Sequence, residues 1–215
     1  MFNRTIINDL KHWKEQKDRK PLMMLGARQV GKTSVLKRFG RECFEHCVYF
    51  SLDEEAGVCD IFRTTKNPTQ IIEQLSYLTD EPILPEKTLL VLDEIQDCPE
   101  AISSMKYFCE KTPEYAIACA GSLLGLAFGH EGFSFPVGKV DHINMYPVTF
   151  SEFLEQKDNG LYRYYKSIDS IEPLPQVFFD RLSQAFTAYR ISGGMPEAAM
   201  KMIDEKGIEN GTFDI

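Results

Sequence analysis

Residues 26–33 read Gly26-Ala27-Arg28-Gln29-Val30-Gly31-Lys32-Thr33, which satisfies G-x-x-x-x-G-K-[ST] at every fixed position. No other stretch constrains the fold as tightly, because the pattern works only between a strand and a helix. Both flanks agree. Leu22-Met23-Met24-Leu25 is an uncharged run that suits a strand buried on both faces of a parallel sheet, and residues 32–39 have helical spacing. Glycines let the backbone curl so that successive N–H groups point inward at phosphate oxygens. The helix N-terminus adds its partial positive charge. The segment Gly26, Ala27, Arg28, Gln29, Val30, Gly31, Lys32, Thr33 and Ser34 is therefore the expected triphosphate cradle. Lys32 is expected to reach the β- and γ-phosphates, and the Thr33 hydroxyl to ligate magnesium.

A second signal lies some sixty residues on, in Leu89-Leu90-Val91-Leu92-Asp93-Glu94. Four apolar residues bury a strand and two carboxylates leave its C-terminal end, where open α/β sheets bind ligands. Asp93 is the expected magnesium holder, directly or through water, and Glu94 the group that polarises the attacking water. Gln96, just beyond, is either a support for this shell or a solvated turn residue. A third strand, Ala116–Ala120, ends in Gly121-Ser122. Ser122 is expected to contact the γ-phosphate or the attacking water; the competing reading is a cap for a helix over Leu123–Phe128.

Around these motifs the chain alternates. Helical patterns occur at 5–17, 69–79 and 100–111, with strands at 48–52 and 140–145. Such alternation implies βαβ crossovers and a mainly parallel sheet covered on both faces. The pattern changes near Pro147. Thr149-Phe150-Ser151-Glu152 has capping-box spacing and opens a helix. Further helices follow at 175–191 and from Pro196, separated by Gly193-Gly194. The expected division is a phosphate-binding α/β domain over 1–146 and, over 147–215, a helical unit that begins a second domain, with Gly129–Gly138 reading as a loop.

Composition narrows the function classes. At 43% hydrophobic and 26% charged residues the chain is an ordinary globular protein. No apolar window is long enough for a spanning helix, and the charged first residues do not resemble a secretory leader, so a cytoplasmic protein with no membrane role is expected. Six scattered cysteines form no C-x-x-C pair; Cys43, His46 and Cys47 read as ordinary reduced residues rather than a metal clip. The net charge of −8 argues against coating nucleic acid, yet residues 1–50 carry 11 Lys/Arg against 5 Asp/Glu. That basic segment keeps DNA open as a partner, against the alternative of a solvated helix face.

GARQVGKT, LLVLDEIQ, AGSLLG, YPVTFSEFL and GGMPEAA, in that order, resemble a family of bacterial and archaeal AAA+-type P-loop ATPases that carry a further C-terminal domain of unknown function. The resemblance runs from about residue 4 to about residue 205. It implies a three-layer P-loop sandwich with strand order 5-1-4-3-2 and a helical lid. It also implies ATP–Mg²⁺ binding and slow hydrolysis, with Lys32, Thr33, Asp93, Glu94 and Ser122 in the family's corresponding roles, and a possible homo-oligomer. Two departures stand out. Members of the family are generally nearly twice as long, so most of the C-terminal domain is expected to be missing. Many relatives also carry arginine after the glycine before the fifth strand, where this chain has Gly138-Lys139, and lysine lacks the planar fork of an arginine finger. The leading expectation is an ATPase that drives movement of the lid. The alternative is a nucleotide-gated switch with little turnover, and a small-molecule kinase fits the adjacent Asp93-Glu94 pair less well.

Overall fold

The computed structural model describes residues 2–122 and 135–204. The helix expected over Leu123–Phe128 and most of the expected loop Gly129–Gly138 lie outside the described residues. Five strands form one sheet: β1 (Leu22–Gly26), β2 (His46–Ser51), β3 (Thr88–Asp93), β4 (Ala116–Ser122) and β5 (Asp141–Met145). Their spatial order is β2-β3-β4-β1-β5, the 5-1-4-3-2 order read from its other edge, and every pairing is parallel. β3 and β4 are buried along their whole length, as their uncharged sequences require.

Helices cover both faces. Val48, Phe50, Leu90, Leu92, Ile117 and Cys119 turn to the side packed by α3 (Ala56–Thr64), α4 (Pro68–Ser76) and α5 (Pro99–Lys111). Tyr49 alternates with Val48 and Phe50 and so faces the other way. There Lys37 of α2 (Lys32–Cys43) lies 3.3 Å from the centre of its ring. α2 in turn packs on α1 (Ile6–Glu15), whose buried stripe is Ile6, Ile7, Leu10 and Trp13. The sequence pattern misses α3, where the Gly57 that follows Glu54-Glu55-Ala56 mimics a loop. Burial of Val58, Ile61 and Phe62 overrides that local preference.

The chain divides into two compact units, one spanning Ile6–Met145 and the other joining Met1–Thr5 to Tyr146–Ile215. The boundary read from the sequence keeps the first five residues with the strands. Here Glu152 groups them with the helices instead: it accepts hydrogen bonds from the Thr5 N–H (2.8 Å) and hydroxyl (2.9 Å) and pairs with Arg4 at 3.2 Å. The described helices of this unit are α6 (Phe150–Lys157), α7 (Asn159–Lys166), α8 (Gln176–Ser192) and α9 (Pro196–Asp204). The capping box at the start of α6 is present with both of its hydrogen bonds. α7 has no counterpart in the sequence pattern, because Asp158-Asn159-Gly160 has turn composition; Asp158 caps the helix by accepting from the Leu161 N–H.

Candidate functional site

The parallel register brings the C-terminal ends of β1, β3 and β4 to one end of the sheet. Gly26 lies level with Ser122 on one side and Met145 on the other, and Ser51 lies level with Asp93. Between Gly26 and α2 the chain passes through two left-handed residues, Gln29 (φ 63°) and Gly31 (φ 94°). Val30, fully buried, anchors this loop, whereas Ala27, Arg28 and Gln29 are exposed. A Cβ on Gly26 would lie 2.3 Å from the Met145 carbonyl oxygen, so only glycine fits where the loop leaves the sheet. Thr33 and Ser34 sit on the first turn of α2, where backbone N–H groups lack helical partners.

Lys32 is buried at the start of α2. Its ammonium donates to the carbonyl oxygens of Gly26 (3.0 Å) and Ala27 (2.8 Å), which folds the side chain back over the loop. Burial lowers its pKa, with Arg28 acting in the same direction and the Glu94 and Asp93 carboxylates opposing. The lysine, the loop and both acidic residues therefore share one electrostatic environment.

Asp93 ends β3, buried. Its Oδ2 accepts from the Thr33 hydroxyl at 2.5 Å and from the Tyr49 hydroxyl at 3.1 Å, and its Oδ1 accepts from the Glu94 N–H at 3.0 Å. Glu94 follows in left-handed backbone (φ 48°, ψ 45°) and opens the short 3₁₀ turn Ile95–Asp97. Gln96 in that turn donates to Glu94 Oε2 at 2.5 Å, while its own amide oxygen accepts from the Ser122 N–H at 3.3 Å. Ser122 is buried at the end of β4.

The expected phosphate and magnesium residues, Gly26–Ser34, Asp93, Glu94 and Ser122, together with Gln96, thus lie at this end of the sheet or in the loop and helix start attached to it. Two neighbours were not anticipated. Tyr49 orients Asp93, and Lys37 lies over the Tyr49 ring. Burial, and after it the Asp93 carboxylate, push the Tyr49 phenol up to about 12 against an opposing hydrogen bond with Ser51, so it remains an O–H donor at neutral pH. The signal was available only through pairing: β2 and β3 are neighbours in space, and no linear motif joins residue 49 to residue 93.

The donor set fits a hard divalent cation. A hydroxyl oxygen and a carboxylate oxygen from separate elements converge within 2.5 Å, and Mg²⁺ takes oxygen ligands of this kind, usually one or two from protein. Lys139 is engaged elsewhere. It precedes β5, at the end of the sheet opposite Gly26, and pairs with Glu110 at 2.9 Å. Among the described residues no group of three His, Cys, Asp or Glu side chains is placed to hold a metal by itself, and no helix is long and apolar enough to cross a membrane.

A family model described as an AAA domain matches residues 18–154, well over half of the chain. The chain belongs to the AAA domain family. Membership implies ATP binding and hydrolysis as the family chemistry. Solved structures with the same fold include Drosophila ORC bound to DNA (TM-score 0.50, 12% identity, 91% of this chain and 58% of that one). PCH-2 from C. elegans is similar to the same degree (TM-score 0.50, 12% identity, 95% of this chain and 62% of that one). The chain therefore spans less than two thirds of the length of either. No curated protein sequence matches it.

Proposed function

We propose that this AAA domain is a Mg²⁺-dependent ATP hydrolase whose working residues are Lys32, Thr33, Asp93, Glu94 and Ser122. The observation that carries the reading is the meeting of the Thr33 hydroxyl with the Asp93 carboxylate at 2.5 Å, beside a loop whose buried lysine feels both acidic residues. Backbone N–H groups of residues 27–34 receive the phosphates. Lys32 exchanges its carbonyl partners for β- and γ-phosphate oxygens. Thr33 and Asp93 hold the cation, which neutralises charge on the transferring phosphoryl group when bound. Glu94 orients a water and accepts its proton, and Ser122 hydrogen-bonds the γ-phosphate or that water.

Loss of the γ-phosphate contact at Ser122 is the step we assign to driving movement of the helical unit. A second reading, a nucleotide-gated switch with little turnover, draws support from Lys139, whose ion pair with Glu110 occupies the position where many similar ATPases carry arginine. The basic first fifty residues make DNA the macromolecular partner to test first.

The test is ATP binding and steady-state turnover of wild type, Lys32→Ala and Glu94→Gln, with and without DNA and at several protein concentrations. Lys32→Ala is expected to lose binding. Glu94→Gln is expected to bind ATP normally and to lose turnover by about 10²–10⁴-fold. Equal turnover in wild type and Glu94→Gln refutes the hydrolytic assignment. A turnover rate per molecule that rises with concentration indicates a residue supplied by a second copy.

A further inference from the structure

Gln96 is a polar side chain that spans the gap between β3 and β4 at this end of the sheet. Its amide nitrogen donates to Glu94 Oε2 at 2.5 Å and to Asp97 Oδ2 at 3.2 Å, and its amide oxygen accepts from the Ser122 N–H at 3.3 Å. The orientation of the amide is fixed chemically. A backbone N–H requires an acceptor, and carboxylates require donors, so the reversed amide would lose all three contacts. The surroundings are shaped to the side chain. A Cβ on Gly121 would come within 3.0 Å of Gln96 Oε1 and of Ile95 Cγ2, so the strand next to Ser122 leaves room for the amide by carrying no side chain. The tight turn that begins at left-handed Glu94 brings the amide, two residues on, back against the Glu94 carboxylate. A solvated turn residue would need neither the cleared space nor the cross-strand bond.

We infer that Gln96 is a positioning residue for hydrolysis, tying the Glu94 carboxylate to the main chain of Ser122. It rests on the reading of Glu94 as the water-orienting group. Gln96 touches neither phosphate nor water in this role. It fixes one oxygen of Glu94, leaves the other to face the water, and makes the position of Glu94 follow that of β4. A shift of Ser122 on meeting or losing a γ-phosphate is thereby passed to Glu94 through one amide, across two hydrogen bonds. The geometry required for attack is narrow, and a displacement near 1 Å is enough to cost about a hundredfold in rate.

The two ends of the amide can be separated by substitution. Gln96→Glu has nearly the same shape and keeps an acceptor for Ser122, but sets a second carboxylate against Glu94. Gln96→Met keeps the length and loses both bonds. ATP turnover, the KM for ATP and the affinity for ADP would be measured on the full chain with Mg²⁺ for wild type, both variants and Glu94→Gln, with thermal melts as a check on folding. Both Gln96 variants are expected to lose about a hundredfold in kcat, while ADP affinity stays within about twofold. The isosteric Gln96→Glu should be no better than Gln96→Met. A side chain that merely fills space predicts the opposite, near-normal kcat in Gln96→Glu, and that result overturns the inference. Loss of turnover in Glu94→Gln alone leaves the hydrolytic reading intact and rejects the role of Gln96. No difference between wild type and Glu94→Gln rejects both.

Discussion

Asp93 and Glu152 are equally buried, each 3% exposed, and lie in different units of the molecule. Their partners differ in kind. Glu152 is saturated: it accepts from the N–H groups of Thr149 and Thr5 and from the Thr5 hydroxyl, and it pairs with the Arg4 guanidinium. Burial pushes its pKa up, but these hydrogen bonds and the Arg4 charge outweigh it and hold the carboxyl below its ordinary value. Asp93 has two hydroxyls and one N–H, and among the described residues no Lys, Arg or His forms an ion pair with it. Hydroxyl oxygens can turn from donating to a carboxylate to sharing a cation with it; a bound guanidinium cannot. Burial alone thus does not separate the two carboxylates, whereas the nature of their donors does, and it is the hydroxyl-bound one that the proposed function uses.

This contrast is most easily broken at Asp93. Asp93→Asn is expected to reduce ATP turnover by about 10³-fold, through loss of cation binding, while changing unfolding free energy by only about 1 kcal/mol. Glu152→Gln should do the reverse. It removes the carboxylate charge that Arg4 meets at 3.2 Å in a buried setting, and a denaturant titration is expected to report a loss of about 3 kcal/mol, with nucleotide affinity of the folded protein unchanged. The pH dependence follows from the same pair. Because the Glu152 carboxyl is held below its unfolded value, its stabilisation is full above the ordinary carboxylate pKa of about 4.3 and disappears as pH falls through the folded value. Acid melts of Glu152→Gln should accordingly be flatter below that pH than those of wild type. The smallest effect is expected from Tyr49→Phe, which removes one of the three donors to Asp93. It should cost about 1 kcal/mol and raise the Mg²⁺ concentration needed for half-maximal turnover a few-fold, read from a Mg²⁺ titration.

The candidate site was more legible in the sequence than the second unit. Residues 22–34 declare themselves because loop, glycines and helix start are contiguous, and the apolar run before Asp93 requires a buried strand whatever surrounds it. Tyr49 was hidden because its role depends on which strands are neighbours, a property of topology rather than of linear pattern. The allegiance of residues 2–5 was hidden for a similar reason. Arg4 and Thr5 look like the start of the helix that follows, and only the carboxylate at position 152, far along the chain, ties them to α6. Helix α7 escaped notice because an Asp-Asn-Gly sequence serves equally well as a turn or as the cap of a helix.

Isothermal titration of ATP into wild type and Asp93→Asn, each with and without Mg²⁺, probes the assignment at its root. Wild type should bind ATP more tightly when Mg²⁺ is present, and Asp93→Asn should bind it with the same affinity in both conditions. An equal Mg²⁺ enhancement in the two proteins would contradict the placement of the cation between Thr33 and Asp93.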